Sequence, residues 1–165
     1  MRTLKFFGIY MAADFMCIFV ASVFAAASGT AAKVLSLIFT VSLLLIMLGS
    51  FTFKEVSGDM RKERAENRRA QLSDTAGIIA GSSAVSVISW MILLISKTAG
   101  ADLYRWHKLL NAGFLQLYNL INPDASSDSL SMAQIMIMLL PAIVPAVFTA
   151  CLCMLIRKGF IKPEK

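Results

Sequence analysis

The stretch VLSLIFTVSLLLIMLGSFTF, residues 34–53, decides the class of this protein. It runs for 20 residues without a charged side chain. A helix rises about 1.5 Å per residue, so about 20 such residues cross a hydrocarbon core of roughly 30 Å. Three further stretches have the same character, and Asp14 is the one charged residue in all four. They cover residues 6–28, 77–96 and 133–156. The sequence therefore predicts an all-α polytopic membrane protein, with four transmembrane helices in a single domain that covers residues 1–165.

The basic residues are concentrated at one set of span ends. Of the 16 Lys and Arg residues, 12 precede the first span, lie between the second and third, or follow the fourth. The other side receives four, which are Lys33, Lys97, Arg105 and Lys108. Because Lys and Arg near span ends resist translocation, we predict that both termini and the loop 54–76 are cytoplasmic in a multi-pass protein of the cell membrane. The formal charge of +6 reflects this asymmetry and requires no nucleic-acid partner.

The predicted cytoplasmic loop, residues 54–76, contains six basic and five acidic residues. The acidic residues dilute the positive potential of the loop. We therefore expect the loop to set the orientation of the protein, and we do not expect it to attract anionic partners strongly.

A second interpretation exists for the first span, which could be a cleaved signal peptide. Arg2 and Lys5 form a basic n-region, and residues 25–27 offer a small-residue cleavage site. The long apolar region, the charge of Asp14 and the start of the second span only five residues later favour a retained helix. In both cases the other three spans keep the same orientation.

The connection on the outer side, residues 97–132, contains a helical pattern. Its apolar residues recur at steps of three and four, and they are Leu103, Trp106, Leu110, Gly113, Phe114, Leu117 and Ile121. Most of the opposite face is polar, with Arg105, Lys108, Asn111, Gln116, Asn119 and Asn122. The pattern predicts an amphipathic helix in the plane of the membrane, with Asp102 as its cap and Pro123 after its end. It could be a plain connector or a lid over an outward-facing cavity, and we expect its single histidine, His107, to be solvated.

Asp14 is the first candidate site residue. It lies eight residues beyond Phe6, about 12 Å into the apolar layer. An ionised carboxylate there costs on the order of 2.5–3.5 kcal/mol on insertion scales. A partner, water in a cavity or protonation must offset that cost. Asp14 is therefore either a proton- or cation-coupled site or a protonated carboxyl that is hydrogen-bonded to a neighbouring helix.

The third span supplies a plausible surface for contact with Asp14 and the first span. Ser82, Ser86 and Ser89 fall on one helical face, and Gly77 and Gly81 form a Gly-x-x-x-Gly motif. Small residues let helices approach closely, and serine hydroxyls form hydrogen bonds across the contact. The pattern favours packing between the first and third spans, and a polar path along the serines is the alternative.

The fourth span contains Pro141 and Pro145, which are four residues apart. Each proline removes a backbone hydrogen bond, so the sequence predicts a kink in the outer half of this helix. Before the same span, Ser131 and Gln134 have the spacing of a capping box.

The sequence predicts no metal site and no cofactor. Cys17, Cys151 and Cys153 all lie inside spans, where cysteine acts mainly as a small apolar residue. Cys151 and Cys153 point about 200° apart on a helix, which prevents them from sharing a metal ion. No arrangement for acyl transfer, phosphate binding or zinc-dependent hydrolysis is present, so we do not expect an enzyme.

Two hypotheses about function follow. The first is a small non-enzymatic membrane protein that acts as an accessory subunit or scaffold, in contact with the lipid bilayer and in a homo- or hetero-oligomer. The alternative is a small proton- or cation-coupled transporter or channel, in which Asp14, the serines and the kinked helix line a path. A groove from Asp14 to a surface would favour transport, whereas a sealed and hydrogen-bonded Asp14 would favour the accessory subunit.

Overall fold

The computed structural model of this protein describes residues 2–27, 29–67, 72–124 and 126–161. These ranges contain α-helices, two short 3-10 turns at Ala112–Phe114 and Ser127–Ser129, and no β-strand. The α-helices are α1 (Arg2–Ala25), α2 (Thr30–Ala65), α3 (Leu72–Ala99), α4 (Tyr104–Leu109), α5 (Leu115–Ile121), α6 (Met132–Ile137) and α7 (Leu139–Arg157). Four helical segments are long and apolar enough to cross a membrane, namely α1, α2, α3 from Thr75, and α6 with α7. The prediction of an all-helical chain with four such segments is confirmed.

The long helices form a bundle in which α1 and α7 occupy different corners. α1 packs against α2 and α3, and α7 packs against the same two helices. α2 and α3 contact each other only slightly. Fully buried residues from every long helix fill the interior, including Tyr10, Leu48, Leu93 and Ile156. The bundle is therefore packed through its middle by side chains of all four long helical segments.

Glycine allows the closest approach between α1 and α3. A Cβ atom added at Gly81 would lie 2.4 Å from the carbonyl oxygen of Thr3 and 2.7 Å from Cβ of Phe6. At Gly77 the added atom would meet Thr3 Oγ1 at 3.5 Å, an ordinary contact. Only Gly81 therefore brings the two backbones so close together that no side chain fits between them.

The end of the bundle that carries the start of α1 is held by ion pairs. Arg2 donates two hydrogen bonds to the carboxylate of Asp59, at 2.5 and 2.6 Å. Lys5 pairs with Glu55, and Arg157 pairs with Glu63 at 3.3 Å. These contacts place the start of α1, the last turns of α2 and the end of α7 together. They also explain why α2 continues to Ala65, past the predicted span end at residue 53, because its polar turns are bound to α1 and α7.

The fourth long segment, α6 with α7, is interrupted at Met138. Pro141 follows three residues later. A proline cannot donate to the carbonyl four residues before it, and its ring clashes with that carbonyl, which belongs here to Ile137, the last residue of α6. Pro145 lies inside α7 without ending it. The break therefore precedes the first of the two prolines. The capping box predicted at Ser131 and Gln134 is confirmed.

The connection 97–132, which the sequence placed on the outer side, differs most from the prediction. In place of one amphipathic helix, α4 and α5 are two short helices joined by the 3-10 turn at Ala112–Phe114. The two helices are cross-linked, because Tyr104 Oη donates to the carbonyl oxygens of Tyr118 and Asn122, at 3.3 and 3.1 Å. Residues 104–121 thus form a helical hairpin, which is called the hairpin below.

The hairpin enters the bundle with its 3-10 turn first. The turn packs against α1 and α2, and the main chain of Gly113 is hydrogen-bonded to Asp14 of α1 and Thr40 of α2. Asp14 lies 11 residues before the end of α1, which corresponds to about 16 Å of helix. The hairpin therefore reaches about 16 Å inward from the ends of the helices that surround it.

The pattern of buried and exposed residues in the hairpin differs from the prediction. Lys108, Asn111 and Asn122, which were predicted on the polar outer face, are buried. Trp106, predicted on the apolar inner face, is 63% exposed. The polar side chains can be buried because oxygen atoms around them accept their hydrogen bonds. Lys108 Nζ, for example, donates to Asn119 Oδ1 at 2.9 Å and to the carbonyl oxygens of Asn122 and Asp124 at 3.0 and 2.7 Å.

The base of the hairpin is also fixed by hydrogen bonds. Asp102, predicted as a helix cap, instead accepts hydrogen bonds from the backbone N–H and the hydroxyl of Ser127, at 2.8 and 2.9 Å. These bonds lower the pKa of Asp102. Gln134 Nε2 donates to the carbonyl oxygen of Ile121 at 3.0 Å. Hydrogen bonds therefore hold the connection between α3 and α6 just before α4, at Asp102, and at the end of α5, at Ile121.

Candidate functional site

A cluster of buried polar side chains surrounds the inner end of the hairpin. α1 contributes Tyr10 and Asp14, and α3 contributes Ser86 and Ser89. The hairpin contributes His107 and Asn111. These six residues, all buried, are called the polar cluster below: Tyr10, Asp14, Ser86, Ser89, His107 and Asn111. The cluster is the candidate functional site of the protein.

Asp14 is bound to the main chain of the hairpin. It is only 3% exposed, and its Oδ1 atom accepts a hydrogen bond from the backbone N–H of Gly113 at 3.3 Å. On the α2 side of the turn, Thr40 Oγ1 donates a hydrogen bond to the carbonyl oxygen of the same Gly113 at 2.9 Å. A Cβ atom on Gly113 would lie 2.9 Å from Cδ2 of Leu44. The carboxyl therefore helps to hold a tightly packed turn between α1 and α2.

Asn111 connects the helices at the centre of the polar cluster. Its Oδ1 atom accepts a hydrogen bond from the Tyr10 hydroxyl at 3.2 Å. Its Nδ2 atom donates to Ser89 Oγ at 2.8 Å and to the carbonyl oxygen of His107 at 2.9 Å. Tyr10 Oη also lies 2.5 Å from Ser86 Oγ. Because the tyrosine proton is directed to Asn111, Ser86 donates and Tyr10 accepts in this second contact.

The surroundings of His107 define its tautomer. Ser89 Oγ donates to the carbonyl oxygen of Ser86 at 3.0 Å and accepts from Asn111, so the contact at 3.1 Å with His107 Nδ1 needs the proton on the histidine. The Nε2 atom is then an unprotonated acceptor, and it is buried without a partner among the described residues. Burial lowers the pKa of His107 and keeps the imidazole neutral. The expectation that this histidine is solvated is wrong.

The serines of α3 do not form one continuous polar path. Ser86 and Ser89 belong to the polar cluster, whereas Ser82 Oγ lies 3.0 Å from Thr149 Oγ1 of α7. Thr149 in turn donates to the carbonyl oxygen of Pro145 at 2.8 Å. Ser82 therefore contributes to the α3–α7 contact, and the interhelical hydrogen bonds of Ser86 and Ser89 are directed to α1 and the hairpin.

The other predicted packing and kink residues lie outside the polar cluster. Gly77 and Gly81 face the first turn of α1, near the end of the bundle that carries the ion pairs. Pro141 and Pro145 are buried in α7. The structure thus brings together Asp14, Ser86 and Ser89 from the predicted site and places the remaining residues in separate helix contacts.

Access to Asp14 is restricted. A cavity of about 250 Å³ lies between the C-terminal half of α1 and the hairpin, and its lining includes Ile18, Ser22, Lys108 and Ala112. Ile18 is one helical turn from Asp14, and Asp14 itself does not line the cavity. The neutral imidazole and the amide and hydroxyl groups of the cluster could carry a proton or hold a water molecule. Ser89 Oγ directs its proton to the carbonyl oxygen of Ser86 and not to His107.

Within the described ranges, no group of three His, Cys, Asp or Glu side chains is placed to hold a metal ion. Cys17 Sγ donates to the carbonyl oxygen of Thr40 at 3.2 Å, which makes it a packing residue between α1 and α2. Cys153 is buried and Cys151 is exposed. The sulfur atoms of α7 therefore lie on different sides of the helix.

Sequence reasoning missed three members of the polar cluster, Tyr10, His107 and Asn111. Tyr10 precedes Asp14 by four residues and so lies on the same helical face, which was a usable signal. His107 and Asn111 are also four residues apart, but both were assigned to a surface helix. Comparisons with protein-family models, with curated proteins and with solved structures found no match to this chain.

Proposed function

We propose that this protein is a non-enzymatic accessory subunit of a membrane complex, in which it binds another membrane protein. The observation that carries the proposal is the position of Asp14. This carboxyl is sealed in the bundle and bound to the main chain of Gly113. A group used in this way stabilises the hairpin, and it is not available to a substrate that crosses the membrane.

The hairpin supplies the contact surface in this proposal. Trp106 is 63% exposed, and Leu109, one helical turn further along α4, is also exposed. Both project from a short helix whose buried side is held by Asn111 and by the three hydrogen bonds of Lys108. A rigid tryptophan binds a partner with little loss of conformational entropy, and tryptophan is enriched among the residues that dominate interface energies. The partner that fits this surface is an apolar helix in the outer half of the bilayer.

Co-purification in mild detergent tests the proposal. The native chain is expected to run with a second protein at fixed stoichiometry, and Trp106→Ala is expected to lose it. Ile95→Ala is the matched control, because Ile95 lies on α3 and is also 63% exposed. A chain that runs as a monomer with nothing attached, or equal loss of the partner in the two variants, would contradict the proposal.

A second candidate function is proton- or cation-coupled transport. One observation favours it, because the cavity between α1 and the hairpin ends one helical turn from Asp14. A small displacement of the hairpin would join the cavity to the carboxyl. In this alternative the hairpin is the gate and Asp14 is the coupling site.

Flux measurements in liposomes separate the two candidates. If the protein is a transporter, pH-dependent flux is expected in the native chain and is expected to disappear in Asp14→Asn. Asp128→Asn is the matched control, because Asp128 is exposed on the outer connection. Flux that is equal in the native chain and in Asp14→Asn would remove Asp14 from the mechanism.

A further inference from the structure

An open apolar cleft lies between α2 and α7, on the side of the bundle that faces away from the α1–α3 contact. It has a volume of about 680 Å³, and its walls include Leu45, Ile46, Gly49, Phe53, Phe148 and Leu152. The Phe148 ring packs over Gly49, 3.4 Å from where a Cβ atom would lie. The cleft is therefore a preformed depression that needs no helix movement to receive a ligand.

The length of the cleft matches one leaflet of a bilayer. Along α2 its lining runs from Ser42 to Phe53, which corresponds to about 16 Å of helix. That is about half of a hydrocarbon core of roughly 30 Å. A partner helix that crosses the membrane would need a groove of the full thickness, whereas an acyl chain of one leaflet needs only half.

Basic residues follow the cleft at the end of the bundle that carries the ion pairs. Arg61 and Arg64 are exposed on the last turns of α2, and Lys158 is exposed directly after α7. Arg157 binds Glu63, so the end of α7 lies beside these turns of α2. The cleft thus has an apolar interior. The three cations, called the cationic mouth below, lie about 9 to 16 Å of helix beyond its last lining residues, Leu152 and Phe53.

The structure also shows why this mouth is more positive than the near balance of charges in residues 54–76 indicated. The three acidic residues of the α2 extension, Glu55, Asp59 and Glu63, all pair with cations of α1 or α7. Arg61, Arg64 and Lys158 have no acidic partner among the described residues. Glu66, at the C-cap of α2, is a further exposed acid here, so the surface around the mouth retains a net positive charge.

From these observations we infer that the α2–α7 cleft binds an anionic phospholipid of the adjacent leaflet. One acyl chain lies in the cleft, and the phosphate and headgroup contact the cationic mouth. The positive-inside distribution places this leaflet on the cytoplasmic side, where anionic lipids and basic side chains attract each other.

Native mass spectrometry of the detergent-purified full chain tests the inference, with dioleoyl-phosphatidylglycerol and dioleoyl-phosphatidylcholine as the added lipids. The native chain is expected to retain one phosphatidylglycerol molecule in preference to phosphatidylcholine. Arg61→Gln and Arg64→Gln are each expected to lower the retention of phosphatidylglycerol by up to about fivefold. They are expected to leave the retention of phosphatidylcholine unchanged.

A second variant tests the apolar part of the site. Ser50→Leu fills the cleft and is expected to lower the retention of both lipids. Ser22→Leu on α1 is the matched control, since each serine is exposed and donates at 2.8 Å to the carbonyl four residues earlier in its helix. Equal retention of the two lipids by the native chain would overturn the inference. Unchanged lipid retention in Ser50→Leu would also overturn it. A co-purifying protein that Ser50→Leu loses and Ser22→Leu keeps would overturn it as well.

Discussion

At the scale of single residues, the contact between Asp14 and Gly113 gives the sharpest test of the hairpin. Asp14→Asn keeps an oxygen that can accept the Gly113 N–H, whereas Asp14→Ala leaves that buried N–H without a partner. An unpaired buried donor costs about 1–3 kcal/mol. We therefore expect Asp14→Ala to unfold more easily than Asp14→Asn by about that free energy, measured by thermal or denaturant unfolding in detergent. Equal stability of the two variants would show that the hydrogen bond is not formed.

The buried histidine predicts how stability depends on pH. Burial lowers the pKa of His107 in the folded protein, so below about pH 6.5 the unfolded chain binds a proton that the folded protein does not. The stability that comes from the neutral imidazole is therefore complete above this pH. It is lost as the pH falls toward the lowered pKa of the folded state.

The measurement compares His107 with His107→Gln, both in an Asp14→Asn background that removes the neighbouring carboxyl. Between about pH 7.5 and about pH 5, the thermal midpoint is expected to fall further in the chain that retains His107. Parallel curves for the two proteins would show that the imidazole is already protonated, or accessible to water, in the folded state.

Single residues of the polar cluster were only partly predictable. Asp14 was identified because a charge in an apolar span has no trivial explanation. Asn111 and His107 lie in a segment with ordinary polar composition, and their burial depends on hydrogen bonds to Ser89 and Tyr10 that are distant in sequence. The spacing of apolar and polar residues along the chain indicates which helix face is apolar. It does not indicate which distant residues form hydrogen bonds with the polar side chains.

At the scale of helices, the α1–α3 contact predicts different outcomes for two glycines. Gly81→Ala would push a methyl group to 2.4 Å from the backbone oxygen of Thr3, so the helices must separate. Such overpacking typically costs about 1–3 kcal/mol. Gly77→Ala makes an ordinary contact at 3.5 Å and is expected to change stability by no more than about 0.5 kcal/mol. Unfolding in detergent measures both, and similar losses in the two variants would contradict the close approach at Gly81.

The helices themselves were predictable to different extents. Long apolar stretches predict the four long helical segments directly, because a helix satisfies its own backbone hydrogen bonds. The predicted span ends at residue 53, whereas the helix itself continues to Ala65, because Glu55, Asp59 and Glu63 pair with residues of other helices. The hairpin was predicted as one helix because its apolar residues keep a helical period across Gly113. The close packing of Gly113 against Leu44 at the 3-10 turn has no local signal.

At the scale of the whole molecule, the two ends of the bundle have different chemistry. One end carries the ion pairs of α1, α2 and α7 and the cationic mouth of the cleft. The other carries the hairpin, which fills the space among the long helices to about half their length. The accessory-subunit proposal depends on the second end and the lipid proposal on the first, so the two can fail independently.

Labelling of intact cells tests the orientation of these two ends. Arg64 and Asp128 are both exposed and lie at opposite ends of the bundle. In a Cys151→Ala background, which removes the exposed native thiol, Asp128→Cys is expected to react with a membrane-impermeant maleimide from outside. Arg64→Cys is expected to react only after the membrane is permeabilised, because 12 of 16 basic residues flank the spans on its side. The reverse labelling would place the cationic mouth outside the cell, and the phospholipid would then have to come from the outer leaflet.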